Sequence, residues 1–307
     1  MLIWILLAAL IFAFLYALHF GYKLAFRYDD PMASPYDYTD DDQTRKIKPV
    51  MDTAIAEFEK VPFEEVSITS HDGLKLTGHY YHVADGAPLE IQCHGYKGNA
   101  LRDFSGAWPI AKAAGRNVLL INQRCHGGSE GHTITFGILE RRDVMGWIEY
   151  ANERFGNVPI LLSGISMGAA TVLMVSGMNL PANVKGIIAD CPYDAPSNII
   201  KKVLGTDMGM PVKVVYPLIR LGGILYGKFN LNADSPLEAV TKATVPILLI
   251  HGDDDRFVPH PMSCNIHAAA PERIEFHTIP GAGHALNYVT DPETYTEIVN
   301  RFTERCL

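Results

Sequence analysis

Six short apolar runs recur along this chain, separated by helical spacing or by loops of small residues, and that alternation leaves few folds open. The runs lie at 89–93, 117–121 (NVLLI), 159–163, 184–189, 246–250 and 274–279. Each is apolar on both faces, as a strand must be when helices cover both sides of a mostly parallel sheet. Helical spacing at 102–114, at 138–150, from about Ser166 onward and at 292–306 supplies the covering layers. Ahead of these, 64–70 and 74–83 flank the turn His71-Asp72-Gly73 and predict an antiparallel hairpin. No internal repeat or glycine-rich linker divides this region. One interval breaks the rhythm. About 55 residues separate Asp190 from Val245, long for a single crossover, and we read an inserted apolar cap at about 195–240.

The first residues are of another kind. Residues 2–18 read LIWILLAALIFAFLYAL, and the first permanently charged side chain is Lys23. A helix over 2–22 would be about 32 Å long, close to the hydrocarbon thickness of a bilayer. A cleaved signal usually carries Lys or Arg before its apolar core, and here only Met1 precedes it. We therefore expect a single-pass anchor at 1–27, a tether and lead-in helix at 28–60 and the folded domain at 61–307. Lys23, Arg27, Arg45, Lys46 and Lys48 follow the span, so the folded domain is expected in the cytoplasm at the cell membrane. Pro31, Pro35 and the acidic run Asp40 to Asp42 mark the polar tether.

The chemistry concentrates where strands end. Gly164-Ile165-Ser166-Met167-Gly168 follows the run PILLS and precedes AATVLMVSGM, a strand–turn–helix context. Such a turn holds its serine in a strained conformation, and small residues two positions either side let neighbouring backbone pass close. A serine hydroxyl needs a base. Gly281-Ala282-Gly283-His284, after the last strand, offers His284, with His94, His126 and His132 as rivals on the same edge. The base needs an orienting acid. His251-Gly252-Asp253-Asp254-Asp255-Arg256-Phe257-Val258-Pro259 supplies three candidates, of which Asp255 is preferred and Asp254 second; Asp190 and Asp194 form an alternative site. An oxyanion requires two preplaced N–H donors. Met167 N–H would be one, and Tyr96 N–H, turned inward by Gly95 in His94-Gly95-Tyr96-Lys97-Gly98, the other.

This ordered set resembles the α/β-hydrolase superfamily. Its members carry an HGxxG-like loop, a D-x-R-G-x-G-x-S loop, a GxSxG elbow, an HGxxDxxVP acid loop and a GxGH loop. The chain has HGYKG, NQRCHGGSEG, GISMG, HGDDDRFVP and GAGH in that order, and the resemblance covers about residues 60–307. It is most similar to the bacterial membrane-anchored serine hydrolases of the Bem46-like and serine-aminopeptidase-like branch. The resemblance implies an α/β-hydrolase fold with nucleophile Ser166, acid Asp255, base His284 and oxyanion N–H groups from Tyr96 and Met167. Asn122 departs from the Asp that many members carry there, in a loop that shapes the site more than it does chemistry.

The expected function is hydrolysis of carboxylic esters through an acyl-enzyme, without cofactor or metal, on a small hydrophobic ester or acyl substrate. The same three residues would serve a thioesterase, peptidase or acyltransferase, and a catalytically silent scaffold acting as a binding module is the reading from another class. The formal charge of −8 leaves no basic excess for nucleic acid. Five dispersed cysteines without C-x-x-C, and the lack of H-E-x-x-H, a Walker loop or G-x-G-x-x-G after a strand, argue against metal and nucleotide chemistry. Lys201, Lys202, Lys213, Arg220 and Lys228 in the cap, with Asp207 against them, would attract an anionic membrane surface.

Overall fold

The computed structural model describes residues 1–30, 34–38 and 41–307, so Pro31 and Asp40 of the tether lie outside the described residues. Eight strands form its centre: β1 (Glu64–Thr69), β2 (Lys75–Tyr81), β3 (Leu89–Cys93), β4 (Asn117–Ile121), β5 (Ile160–Ile165), β6 (Val184–Asp190), β7 (Ile247–Gly252) and β8 (Ile274–Ile279). They lie in one sheet in the order β1-β2-β4-β3-β5-β6-β7-β8. β1 and β2 make the expected hairpin, with Thr69 opposite Lys75, and β2 runs antiparallel to β4. All other neighbours are parallel. Strands β3, β4, β5 and β7 are buried along their whole length, the cost-free state for runs such as NVLLI once helices cover both faces.

The order carries a functional consequence. From β3 the chain crosses to β4 on one side and returns to β5 on the other. The loops after β3 and β5 therefore diverge and leave a crevice at the carboxyl ends, where open α/β sheets bind ligands.

The helical spacing at 102–114 is realised as two helices, Ala100–Phe104 and Ala107–Ala113. Pro109 has no N–H and its ring opposes the carbonyl four residues back, so one helix cannot run through. The final helix, Pro292–Cys306, buries Tyr295, Ile298, Val299 and Phe302 against the sheet. The insertion between β6 and β7 contains the helices Pro196–Lys202 and Val212–Tyr226.

The N-terminal helix, Leu2–Phe26, is long and apolar enough to cross a membrane by length and composition. It is not uniform in its surroundings. Residues 1–16 are exposed, whereas Leu18, Gly21, Tyr22, Ala25 and Phe26 are buried. The exposed helical residues, 2–16, would reach about 22 Å at 1.5 Å each. From Leu18 on, the helix is built into the protein. It crosses Val212–Tyr226 so closely that a Cβ on Gly222 would lie 2.5 Å from the Leu18 carbonyl oxygen. Ile134 N–H donates to Phe26 O at 2.8 Å, and the Phe26 ring meets Phe229 edge-on at 4.9 Å.

The lead-in helix, Asp42–Phe58, begins on the Asp41 carboxylate, which accepts from Gln43 N and Thr44 N. Its far end buries Phe58 against Trp108 and Tyr81. Its first turn reaches the rim of the crevice, where Gln43 Nε2 donates to Asp254 Oδ2 at 2.7 Å.

Candidate active site

Ser166 stands between β5 and the helix Met167–Ser176, with φ 55° and ψ −115°. A non-glycine residue in this region is strained. The flanking glycines permit it. A Cβ on Gly168 would fall inside the carbonyl oxygen of Cys93, and one on Gly164 inside the Gly168 backbone. Ser166 N–H donates to Asp190 O at 2.8 Å, fixing the turn against β6.

Ser166 Oγ lies 2.9 Å from His284 Nε2, and His284 Nδ1 lies 2.7 Å from Asp255 Oδ2. The structure thus brings together the serine, acid and histidine expected from sequence. Asp255 is held from several sides. Its Oδ1 accepts from Phe257 N–H at 2.9 Å and Val258 N–H at 2.8 Å. Its Oδ2 is also 3.1 Å from His251 Nε2. Burial would raise the Asp255 carboxyl, but the charge of His284 and the hydrogen bonds of both histidines hold it well below the usual carboxylate range.

The neighbouring carboxylates are engaged elsewhere. Asp253 Oδ1 accepts from Gly281 N–H at 2.6 Å, which shapes the histidine loop. Asp254 binds Gln43 and, at 3.0 Å, Arg256. Asp190, the alternative acid, accepts from Asn287 at 2.5 Å and Tyr295 at 3.0 Å, and burial raises its carboxyl. Asp194 accepts from Asn198 and Asn265. The rival histidines have other partners too. His94 Nδ1 donates to Gly95 O and its Nε2 accepts from Gln123 N–H, while burial keeps the ring neutral. His126 Nδ1 donates to Arg124 O, and His132 sits at the surface beside Asp29.

The two expected oxyanion donors border Ser166. Met167 is the first residue of its helix, so its N–H has no partner within that helix. Gly95 lies against the serine, since a Cβ there would sit 3.5 Å from Ser166 Cβ. Asp103 Oδ2 accepts from Gly95 N–H at 2.8 Å and so fixes the His94–Gly95 peptide, while Gly95 O, in the next peptide with Tyr96 N–H, accepts from Gly98 N–H at 3.1 Å. Asn122 donates to Thr77 Oγ1 at 3.0 Å and packs under Gly127, a purely structural place in its loop.

Three contributors escaped the sequence reading. His251 stands within a quoted motif, and its burial under Asp255 depends on Ser263 Oγ at 2.6 Å from Nδ1. Asp103 and Gln43 carried no signal at all, because each meets the site from a helix with no motif. Metal-type clusters are already occupied from within. The sulfur and ring atoms of Cys191 and His284 group with Asp255, but that carboxylate is bound to the imidazole and burial keeps the thiol protonated. In the group His71, Asp72 and Asp143, the Arg124 guanidinium pairs with both carboxylates.

Two cavities meet at Ser166. One, of about 210 Å³, is apolar and includes Leu24, Phe136, Ile199, Leu204 and Ile219 in its lining. The other, of about 450 Å³, is the more polar of the two and is bordered by Gln43, Arg102, Lys202, Arg256 and His284 as well as by Ile165 and Phe257. Lys202 is bound to Asp207 at 2.8 Å and to Arg256 O, and Lys201 lies over the Tyr216 ring, so these two cap lysines face protein partners.

Residues 93–298 match the model of the alpha/beta hydrolase family. The protein YqkD of Bacillus subtilis is 26% identical over 80% of this chain and 81% of its own. Among solved structures, the esterase Pf2001 of Pyrococcus furiosus superposes with a TM-score of 0.65 at 20% identity, covering 82% of this chain and 93% of the esterase. Est1E of Butyrivibrio proteoclasticus, solved with ferulic acid bound, superposes with a TM-score of 0.62 at 21% identity over 78% of this chain and 98% of its own. The sheet, its flanking helices and these matches are those of the α/β-hydrolase fold.

Proposed function

This chain belongs to the alpha/beta hydrolase family, and from that premise we propose that it is a serine hydrolase of carboxylic esters. The observation that carries the reading is the unbroken hydrogen-bond chain from Ser166 Oγ through His284 to Asp255. In that arrangement His284 Nδ1–H is committed to a carboxylate, which leaves Nε2 as the acceptor facing the serine. Ser166 attacks the ester carbonyl while His284 takes its proton. Tyr96 and Met167 N–H groups stabilise the oxyanion. The imidazolium, stabilised by Asp255, then protonates the departing alcohol, and water deacylates the enzyme by the reverse proton path.

The apolar cavity beside Ser166 favours an acyl group with an aliphatic or aromatic body, and the polar cavity favours the leaving alcohol. The naming of superposed Pf2001 as an esterase agrees with an ester substrate. The N-terminal helix is read as a retained membrane anchor, because cleavage of a signal after it would strip Tyr22 and Phe26 from the packed cap. The test is labelling of detergent-purified full-length protein with a fluorophosphonate probe, followed by turnover of a panel of esters and thioesters. Wild type should label and turn over esters, and Ser166→Ala should do neither, with kcat lowered about 10³-fold or more. A folded wild-type protein that resists the probe and hydrolyses nothing in the panel would instead be a binding scaffold.

A further inference from the structure

The apolar cavity is not made by the hydrolase domain alone. Leu24 and Ala25, from the last turn of the N-terminal helix, form part of its wall beside Ser166. The lining also includes Ile219 of the cap helix, which touches the N-terminal helix at Gly21. A Cβ on Gly21 would lie 3.2 Å from the Ile219 side chain and 3.5 Å from its Cα, so the bare glycine lets the two helices meet closely there. The same turn is wired to the candidate oxyanion loop. The Tyr96 hydroxyl donates to Ala25 O at 3.3 Å, and its ring stacks on Phe136 at 5.0 Å. Burial pushes the Tyr96 hydroxyl up to about 12, so it remains a donor at neutral pH. Tyr22 adds a second tie, its hydroxyl 2.6 Å from Thr133 Oγ1.

We propose that the last turn of the N-terminal helix is a specificity element of the active site, with Leu24 and Ala25 setting the length and width of acyl chain that the cavity accepts. This rests on the ester-hydrolase reading of Ser166 and goes beyond it. It assigns substrate selection to a segment whose composition reads only as an anchor. The cavity is about 210 Å³, lined by apolar side chains apart from the polar groups of Ser166 and the tyrosines, so an aliphatic chain entering from the serine meets the helix wall. Because the wall is a helix held at both the cap and the Tyr96 loop, it cannot retreat without moving those elements. In such a pocket one methylene more or less changes kcat/KM by roughly 10-fold or more.

The test uses full-length protein in detergent and a series of aryl esters from acetyl to dodecanoyl. Ala25→Phe should lower the dodecanoyl-to-acetyl ratio of kcat/KM by at least about 10-fold, because the added ring occupies the chain's path. Leu24→Ala should move the ratio the opposite way, towards longer chains. If Ala25→Phe does not fold, Leu24→Ala decides alone. A dodecanoyl-to-acetyl ratio equal to wild type in every folded variant overturns the proposal. Failure of the underlying reading looks different: wild type itself would neither take the fluorophosphonate probe nor hydrolyse any member of the series.

Discussion

Asp255→Asn probes the site at its most constrained group. The carboxylate has four partners: two backbone N–H groups on Oδ1 and two histidine rings at Oδ2. Asparagine replaces one oxygen by an NH2. If its oxygen keeps the Phe257 and Val258 N–H pair, the NH2 faces His284 Nδ1 and donates to it. The ring proton then moves to Nε2 and points at Ser166, where it blocks acceptance of the serine proton. The flipped amide would set NH2 against two backbone donors with no acceptor between them, so the first arrangement prevails. The fold survives with the wrong tautomer. The expected loss is about 10⁴-fold in kcat, about 5 kcal/mol at 1.36 kcal/mol per decade. Loss of charge from a buried acceptor should also cost about 2 kcal/mol of stability. Asp253→Asn and Asp254→Asn, whose partners are Gly281 N–H and the pair Gln43 and Arg256, should change kcat by no more than about 10-fold, well below the general-base scale. Ester kinetics on the three purified variants, with thermal unfolding as the check on folding, decides the matter. The reasoning fails if Asp254→Asn is the most damaging or if Asp255→Asn retains turnover within 10-fold of wild type, a residual rate an inverted tautomer cannot give. The same carboxylate carries a pH signature. Its folded value is depressed, so it stabilises the protein above the unfolded carboxylate value of about 3.9 and loses that contribution as pH falls through the folded value. The gap in Tm between wild type and Asp255→Asn should therefore narrow as pH drops below about 4.

Ser166→Gly should abolish turnover yet raise stability by about 1 kcal/mol, since glycine relieves the positive-φ strain; a lower Tm than wild type contradicts the strained elbow. Asp103→Ala should lower kcat/KM by about 10- to 100-fold, because Gly95 N–H loses its carboxylate and the loop that carries the Tyr96 N–H loosens; unchanged kinetics would mean the loop holds itself. A chain beginning at Tyr28 should lose roughly 5 kcal/mol, from the buried Leu18, Tyr22, Ala25 and Phe26, and precipitate or bind a hydrophobic dye; a soluble, equally stable product would contradict the packing of that helix.

Much of this site was legible along the chain because its signals are local. A run such as PILLS followed by GISMG and a helical segment determines a strand, a tight turn and a helix within about ten residues, and Gly164 and Gly168 fit only where backbone passes backbone. The apolar runs likewise determined the strands and the placement of Ser166, Asp255 and His284 at their carboxyl ends. The break between Phe104 and Ala107 was not read from the helical spacing at 102–114, although the missing N–H of Pro109 gives it a local cause.

Other features needed the assembled molecule. Three adjacent aspartates are separated in sequence only by their register to Val258-Pro259, which favours Asp255, and what distinguishes them physically are partners far along the chain: Gly281 for Asp253, Gln43 for Asp254, His284 for Asp255. Asp103 could be assigned to Gly95 only once the helix following β3 folded back over its loop. The N-terminal helix is the sharpest case. Composition determined that it is a helix apolar on every side, and at that point a lipid tail, a cap helix and an acyl chain are equivalent neighbours, since all of them remove the same surface from water. Only the tertiary structure, by setting Gly21 and Gly222 at the crossing and Ala25 beside Tyr96, decided that its last turns belong to the protein and its first residues do not.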